Sequence, residues 1–192
     1  MMDKTHHSLF SDCRAVMQNR IIVLGWLVLM MSVCACQREK SRQDADAEHS
    51  QVSNSQFGEF YVRDLDRKEL SLAEEISKND LTIIDFWASW CAPCQAEIPI
   101  IKNIYSEYSG KGLGIIGVSL DTDYNAWKKS IEDNDMPWTH VSELRGWNST
   151  IVERNNITAI PYTYVLDKQG NVLAQGLRGG DLISFIDKSL NR

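Results

Sequence analysis

Leu81 to Trp87 (LTIIDFW) is a mostly apolar run of strand length, and four residues later the chain reaches Cys91-Ala92-Pro93-Cys94. A run of this kind suits a central strand buried on both faces. Beyond the cysteines, Gln95 to Tyr108 carries Ile98, Ile101, Ile104 and Tyr105 or Tyr108 at helical spacing. A strand therefore feeds a helix through a cysteine pair, which constrains architecture and chemistry together. Pro99 is expected to kink that helix and Gly110 to stop it.

The flanking segments extend the alternation. Phe57 to Val62 and Glu69 to Leu72 predict a short hairpin around Asp64-Leu65-Asp66-Arg67, and Ser71-Leu72-Ala73-Glu74 is a capping-box pattern opening a brief helix. Leu113 to Leu120 (LGIIGVSL) predicts a second buried strand. A helix follows over Tyr124 to Asn134, begun by Asp121 or Asp123, then a shorter one over about Ser149 to Asn155. Tyr162 to Leu166, a turn at Asp167-Lys168-Gln169-Gly170, and Val172 to Gln175 predict an antiparallel hairpin. Asp181 is expected to cap a last helix, Leu182 to Leu190. The order predicts a mixed α/β sheet covered by helices.

The chain has five cysteines, of which Cys13, Cys34 and Cys36 lie in or before an apolar stretch near the N-terminus. Processing there leaves the folded part with one cysteine pair, which is no disulfide framework and reads as a pair kept for reactivity. At the start of a helix the Cys91 thiol meets unpaired N–H groups and the positive end of the helix dipole, and both favour thiolate, the nucleophile of disulfide exchange. Cys94, one turn inward, is placed to attack a mixed disulfide formed at Cys91. Pro93 is tolerated because no helical donor is lost in the first turn. A c-type haem site needs a His where Gln95 stands, and a structural zinc site needs four ligands where the domain offers two Cys and the distant His140. No metal and no dissociable cofactor are expected. A net charge of −6 disfavours a nucleic-acid partner.

Ile21 to Val33 is uncharged and preceded by Arg14 and Arg20. It is short for a bilayer span but suits the apolar region of a signal peptide. The stretch ends in Val33-Cys34-Ala35-Cys36, which resembles the bacterial lipobox with Cys36 as the lipidated residue; a plain uncleaved anchor is the alternative. Met17 would give a more usual lipoprotein signal than Met1. Gln37 to Gln56 is too polar to order itself and reads as a tether, with His49 a solvated linker residue. The expected organisation is residues 1–35 signal peptide, 36–56 lipidated cysteine and tether, and 57–192 the folded domain. The segment after Cys36 is acidic, so lipid rather than a basic patch must attach it to a membrane.

Asp85-Phe86-Trp87-Ala88-Ser89-Trp90-Cys91-Ala92-Pro93-Cys94, then Glu97 and Pro99, resembles the exported TlpA/ResA-like branch of the thioredoxin superfamily. Val118-Ser119-Leu120-Asp121, Trp127 and Ile160-Pro161 with Tyr162 to Asp167 extend the likeness over nearly the whole domain. The resemblance implies a thioredoxin-like α/β fold with an N-terminal β-hairpin and an inserted helix-bearing element between about Asp121 and Asn155. It implies a cis Ile160–Pro161 bond beside the cysteines, and a substrate surface of Trp90, Ala92, Pro93, Ile160 and Pro161. Glu97 is implied to line the site and tune the cysteines; a first-turn Glu favoured by the helix dipole is the alternative. Asp85 stands where thioredoxins keep a buried carboxylate that exchanges protons with the second cysteine, although many TlpA-like relatives have Asn there. An Asp satisfied by backbone groups is its alternative reading. Trp87, Trp127, Trp138, Trp147 and His140 read as structural.

The function so implied is thiol–disulfide exchange, with Cys91 as nucleophile and Cys94 resolving. Clients are disulfides of exported proteins, apocytochrome c among them, and a membrane thiol reductase is the electron donor. The location is the cell envelope, lipid-anchored and facing the periplasm, with inner or outer membrane open. A disulfide-donating oxidant and a non-catalytic lipoprotein binding a thiol or metal partner are the rival readings.

Overall fold

The computed structural model describes residues 56–191. The expected signal peptide, the expected lipidation at Cys36 and the expected tether lie outside these residues, apart from Gln56. Seven strands, β1 (Tyr61–Asp64), β2 (Glu69–Ser71), β3 (Leu81–Trp87), β4 (Leu113–Ser119), β5 (Thr139–Ser142), β6 (Tyr162–Asp167) and β7 (Val172–Gln175), form one sheet in the order β2-β1-β5-β4-β3-β6-β7. The helices are α1 (Leu72–Ser77), α2 (Ala92–Tyr108), α3 (Tyr124–Asp133), α4 (Thr150–Arg154) and α5 (Gly179–Leu190). β3 pairs parallel with β4 and antiparallel with β6, so it lies inside the sheet. None of these helices is long and apolar enough to cross a membrane.

Central placement explains the apolar run of β3. Ile83, Ile84 and Phe86 are fully buried, as are Val118 and Leu120 beside them and Val165 and Leu166 on β6. Burying one such side chain stabilises by about 1.5–3 kcal/mol. Asp85 interrupts the run and is only partly covered. The hairpin turns are closed by carboxylates: Asp64 Oδ1 accepts from the Asp66 and Lys68 amides, and Asp167 Oδ1 from those of Gln169 and Asn171, all at 2.9 Å.

Several boundaries differ from expectation. β1 begins only at Tyr61, because Phe57 and Phe60 leave the sheet edge to pack as rings 5.7 Å apart, Phe57 also lying 5.4 Å from Tyr164. Helix α2 runs unbroken through Pro99 and begins at Ala92. Its end is not set by Gly110, which sits in a 3₁₀ turn (Ser109–Lys111), but by Gly112 at φ 97°, a backbone region that costs glycine little. Asp123, not Asp121, caps α3, its side chain accepting from the Asn125 and Ala126 amides. The cap position of α5 is Arg178, and Asp181 lies inside the first turn. Ser71 does cap α1, accepting from the Glu74 amide at 3.1 Å.

Strand β5 was not foreseen. It is four residues long, pairs parallel with β4 and antiparallel with β1, and so joins the N-terminal hairpin to the rest of the sheet.

Candidate functional site

Cys91 and Cys94 are joined by a disulfide, with their Cα atoms 5.2 Å apart. Cys91 occupies the N-cap of α2, and its Sγ accepts a hydrogen bond from the Cys94 amide at 3.2 Å. Ala92 and Pro93 form the exposed first turn, where a proline removes no helical hydrogen bond. Both cysteines are nearly covered, at 5% and 3% exposure, while Trp90 beside them is 57% exposed. Trp147, in the inserted element, is likewise exposed, whereas Trp87, Trp127 and Trp138 are buried.

Ile160–Pro161 is a cis peptide, and the Ile160 carbonyl oxygen lies 3.8 Å from Cys91 Sγ. In the disulfide that sulfur has no hydrogen to donate; as a thiol it would. Loop and cysteines therefore meet across 69 residues of sequence. The loop leads into β6, whose Thr163 pairs in register with Asp85.

Asp85 has its pKa pushed up to about 7, first by loss of water around the carboxyl, then by the negative charge of Glu97, against the opposing pull of Arg178. Its side chain keeps some solvent access, yet the surrounding protein is dense enough for burial to dominate. Glu97 Oε1 lies 3.7 Å from Arg178 Nε, and Glu97 Oε2 accepts from the Gly179 amide at 3.4 Å. Glu97 is thus bound to the start of α5, not merely to the dipole of its own helix. Thr163 holds the same turn by donating from Oγ1 to the Leu177 carbonyl at 2.6 Å.

Sequence reasoning missed Arg178, Ser89 and Gln95, and gave Asp121 only the role of a helix start. Asp121 is 1% exposed and accepts from the Ser89 amide and hydroxyl, at 3.0 and 2.6 Å. Gln95 Nε2 reaches the carbonyls of Ala88 and Ser89, each at 3.4 Å. Polar residues beside a redox motif were the available signal, but nothing local identified their partners.

His140 is buried away from the cysteines on β5, between the rings of Trp87 and Trp138. Burial lowers its pKa to about 4, although the Met136 backbone pulls the other way. That approach is not a well-formed hydrogen bond, since neither ring nitrogen has one. Among the described residues no group of three or more His, Cys, Asp or Glu side chains is arranged to hold a metal ion. A cleft of about 410 Å³ between the N-terminal hairpin and the insertion, lined by Arg63, Arg67, Tyr124 and Arg145, includes none of the residues singled out for chemistry.

Comparison with known proteins matches this geometry. The model of a thioredoxin-like family covers residues 79–172. The thiol-disulfide oxidoreductase ResA of Bacillus thuringiensis subsp. konkukian is 28% identical over 133 residues, 69% of this chain and 73% of that protein. The thioredoxin domain of a thiol-disulfide oxidoreductase from Bacteroides vulgatus is 30% identical with a TM-score of 0.67, over 74% of this chain and all of that one. A thiol-disulfide oxidoreductase from Bacteroides fragilis superposes with the same score at 27% identity, over 71% of this chain and all of that one. With a strand-to-helix cysteine pair, a facing cis-proline loop and this likeness over the folded domain, the chain belongs to the thioredoxin-like family and is a ResA-like thiol–disulfide oxidoreductase.

Proposed function

We propose that Cys91 attacks and Cys94 resolves, that the net reaction reduces disulfides of exported proteins, and that Cys36 tethers the domain to a membrane in the cell envelope, facing the periplasm. The observation that carries the assignment of roles is Cys91 at the N-cap of a 17-residue helix with its Sγ on the Cys94 amide. A positive helix end and a direct N–H both favour the thiolate.

In the reducing direction the Cys91 thiolate bonds to one client sulfur, and the other leaves as a thiolate that takes up a proton. Cys94 then gives its proton to Asp85 and attacks Cys91 Sγ, releasing the second client sulfur. The client gains two electrons, and the pair becomes the disulfide seen here. A membrane thiol reductase then restores the dithiol. A carboxyl that titrates near 7 is matched to proton exchange at neutral pH. The exposed Trp90, Ala92 and Pro93, with Ile160 and Pro161 opposite, form the docking surface, where an extended client segment can pair with loop backbone. Apocytochrome c is one candidate client class, by the family resemblance alone.

Direction follows from charge. Glu97, three residues past Cys94 on α2, carries a negative charge that also acts on Asp85, and like charge works against a stabilised thiolate, which strong oxidants require. A redox potential measured by glutathione equilibrium should fall near the thioredoxin end of the scale. A value among the strong periplasmic oxidants would reverse the assignment. Insulin reduction reads turnover. For the address, Cys36→Ser should release the protein from the membrane and Cys34→Ser should not; an unlipidated N-terminus downstream of Cys36, seen by mass spectrometry, rules out the tether.

A further inference from the structure

We propose that Asp121 is a positioning residue for Cys91, holding the Ala88–Cys91 turn from the end of β4 while Gln95 holds it from α2. The inference rests on the reading of Cys91 as the attacking thiol.

A buried carboxylate is costly unless its oxygens are hydrogen-bonded. Asp121 sits just beyond β4 and is almost wholly covered. Its side chain spends two of three bonds on one residue of the redox turn, the Ser89 amide at 3.0 Å and the Ser89 hydroxyl at 2.6 Å. The third comes from the Ser119 hydroxyl at 2.7 Å, outside the redox turn, and that hydroxyl in turn accepts from the Asp121 amide at 2.9 Å. The Cys91 amide closes the turn onto the Ala88 carbonyl at 3.1 Å.

From the other side, Gln95 Nε2 bridges the Ala88 and Ser89 carbonyls and also reaches Ser130 Oγ at 3.3 Å. Gln95 Oε1 accepts from Asn134 Nδ2 at 3.2 Å. Ser130 and Asn134 belong to α3 and its C-terminal cap. The insertion therefore braces the redox turn through one amide side chain. The peptide groups at Ala88 and Ser89 are held on both flanks, and Cys91 follows them directly onto the helix end. A turn held in this way keeps the sulfur aligned with the Cys94 amide when the disulfide opens, as a preorganised nucleophile requires.

The test separates positioning from mere stability. Ser89→Ala removes one bond to Asp121 and leaves the charge in place; Ser119→Ala removes a bond of similar length to the same carboxylate but from outside the turn. Alkylation of the reduced protein by iodoacetamide is followed against pH, with urea unfolding in parallel. Ser89→Ala should raise the apparent thiol pKa and slow alkylation near neutral pH roughly threefold or more. Ser89→Thr, which keeps the hydroxyl, should restore both, and Ser119→Ala should lose stability with an unchanged pH profile. An unchanged profile in Ser89→Ala overturns the proposal, and so does an equal displacement in Ser119→Ala. The same titration on Cys91→Ala and Cys94→Ala shows which thiol is the reactive one; a reactive Cys94 would overturn the reading of the nucleophile instead.

Discussion

Gly117 and His140 are partners in the parallel pairing of β4 and β5, so close that a β-carbon on residue 117 would stand 2.7 Å from His140 Nδ1 and 3.1 Å from Trp87 Nε1. The absence of a side chain at 117 is what lets a buried imidazole and two indoles share the space beside β3.

Gly117→Ala should therefore destabilise the domain by about 1–3 kcal/mol, the usual cost of overpacking a filled core. Adding His140→Ala should recover part of the loss, because the crowded ring is then gone. Urea unfolding of the two single variants and the double variant measures the coupling; strict additivity would mean that the clash is absorbed elsewhere.

Asp85 and His140 predict opposite pH dependences. Asp85 keeps its proton to about pH 7 when folded and loses it near 3.8 when unfolded, so its contribution is present below 3.8 and is lost as pH rises through 7. His140 takes up its proton near 6.5 when unfolded but only near 4 when folded, so its contribution is present above 6.5 and is lost as pH falls through 4. Each is on the order of 3–4 kcal/mol at the upper limit, and the two oppose one another over the same window. Relative to wild type, Asp85→Asn should gain stability with rising pH between 4 and 7, and His140→Asn should lose it. Unfolding of the oxidised protein at several pH values checks both slopes.

Glu97 and Arg178 act on the site with opposite sign. Glu97→Gln removes a negative charge beside Asp85 and should lower both the Asp85 and the Cys91 pKa, making the protein more oxidising. Arg178→Gln leaves Glu97 unopposed and should shift the potential the other way. The pair is partly open to solvent, with side-chain exposures of 46% for Arg178 and 20% for Glu97, so screening keeps the effects small. A change of about 30 mV, equal to about 1.4 kcal/mol for two electrons, is measurable by glutathione titration. Shifts of the same sign in both variants would contradict the electrostatic account.

Substrate trapping tests the order of attack. Cys94→Ala should accumulate mixed disulfides on Cys91, since resolution is lost while nucleophilic attack is kept, and Cys91→Ala should accumulate few. Non-reducing gels with mass spectrometry of the trapped species read the outcome, and equal trapping would mean the roles are shared.

Much of the fold was legible because its signals are local. The apolar run of β3, the helical spacing of Ile98, Ile101 and Ile104, the Ser71 cap and the turn closed by Asp167 each lie within a few residues of what they determine. The cysteine pair at a strand-to-helix junction was equally plain. β5 was not, because Thr-His-Val-Ser has neither length nor alternation, and it becomes a strand only by docking between β1 and β4.

The sequence by itself determined the redox pair, the strand and helix that carry it, and the hairpin after Pro161, since each depends on periodicity, capping and turn chemistry along a short stretch. Tertiary structure alone decided that Asp121 serves the turn before Cys91 across 32 residues, that Glu97 meets the start of α5 across 82, and that Trp90 faces solvent while Trp87 does not. The physical reason is the sheet order. Segments distant in sequence become neighbours only when β3 lies between β4 and β6, and a hydrogen bond made across that arrangement leaves no periodic trace in either partner.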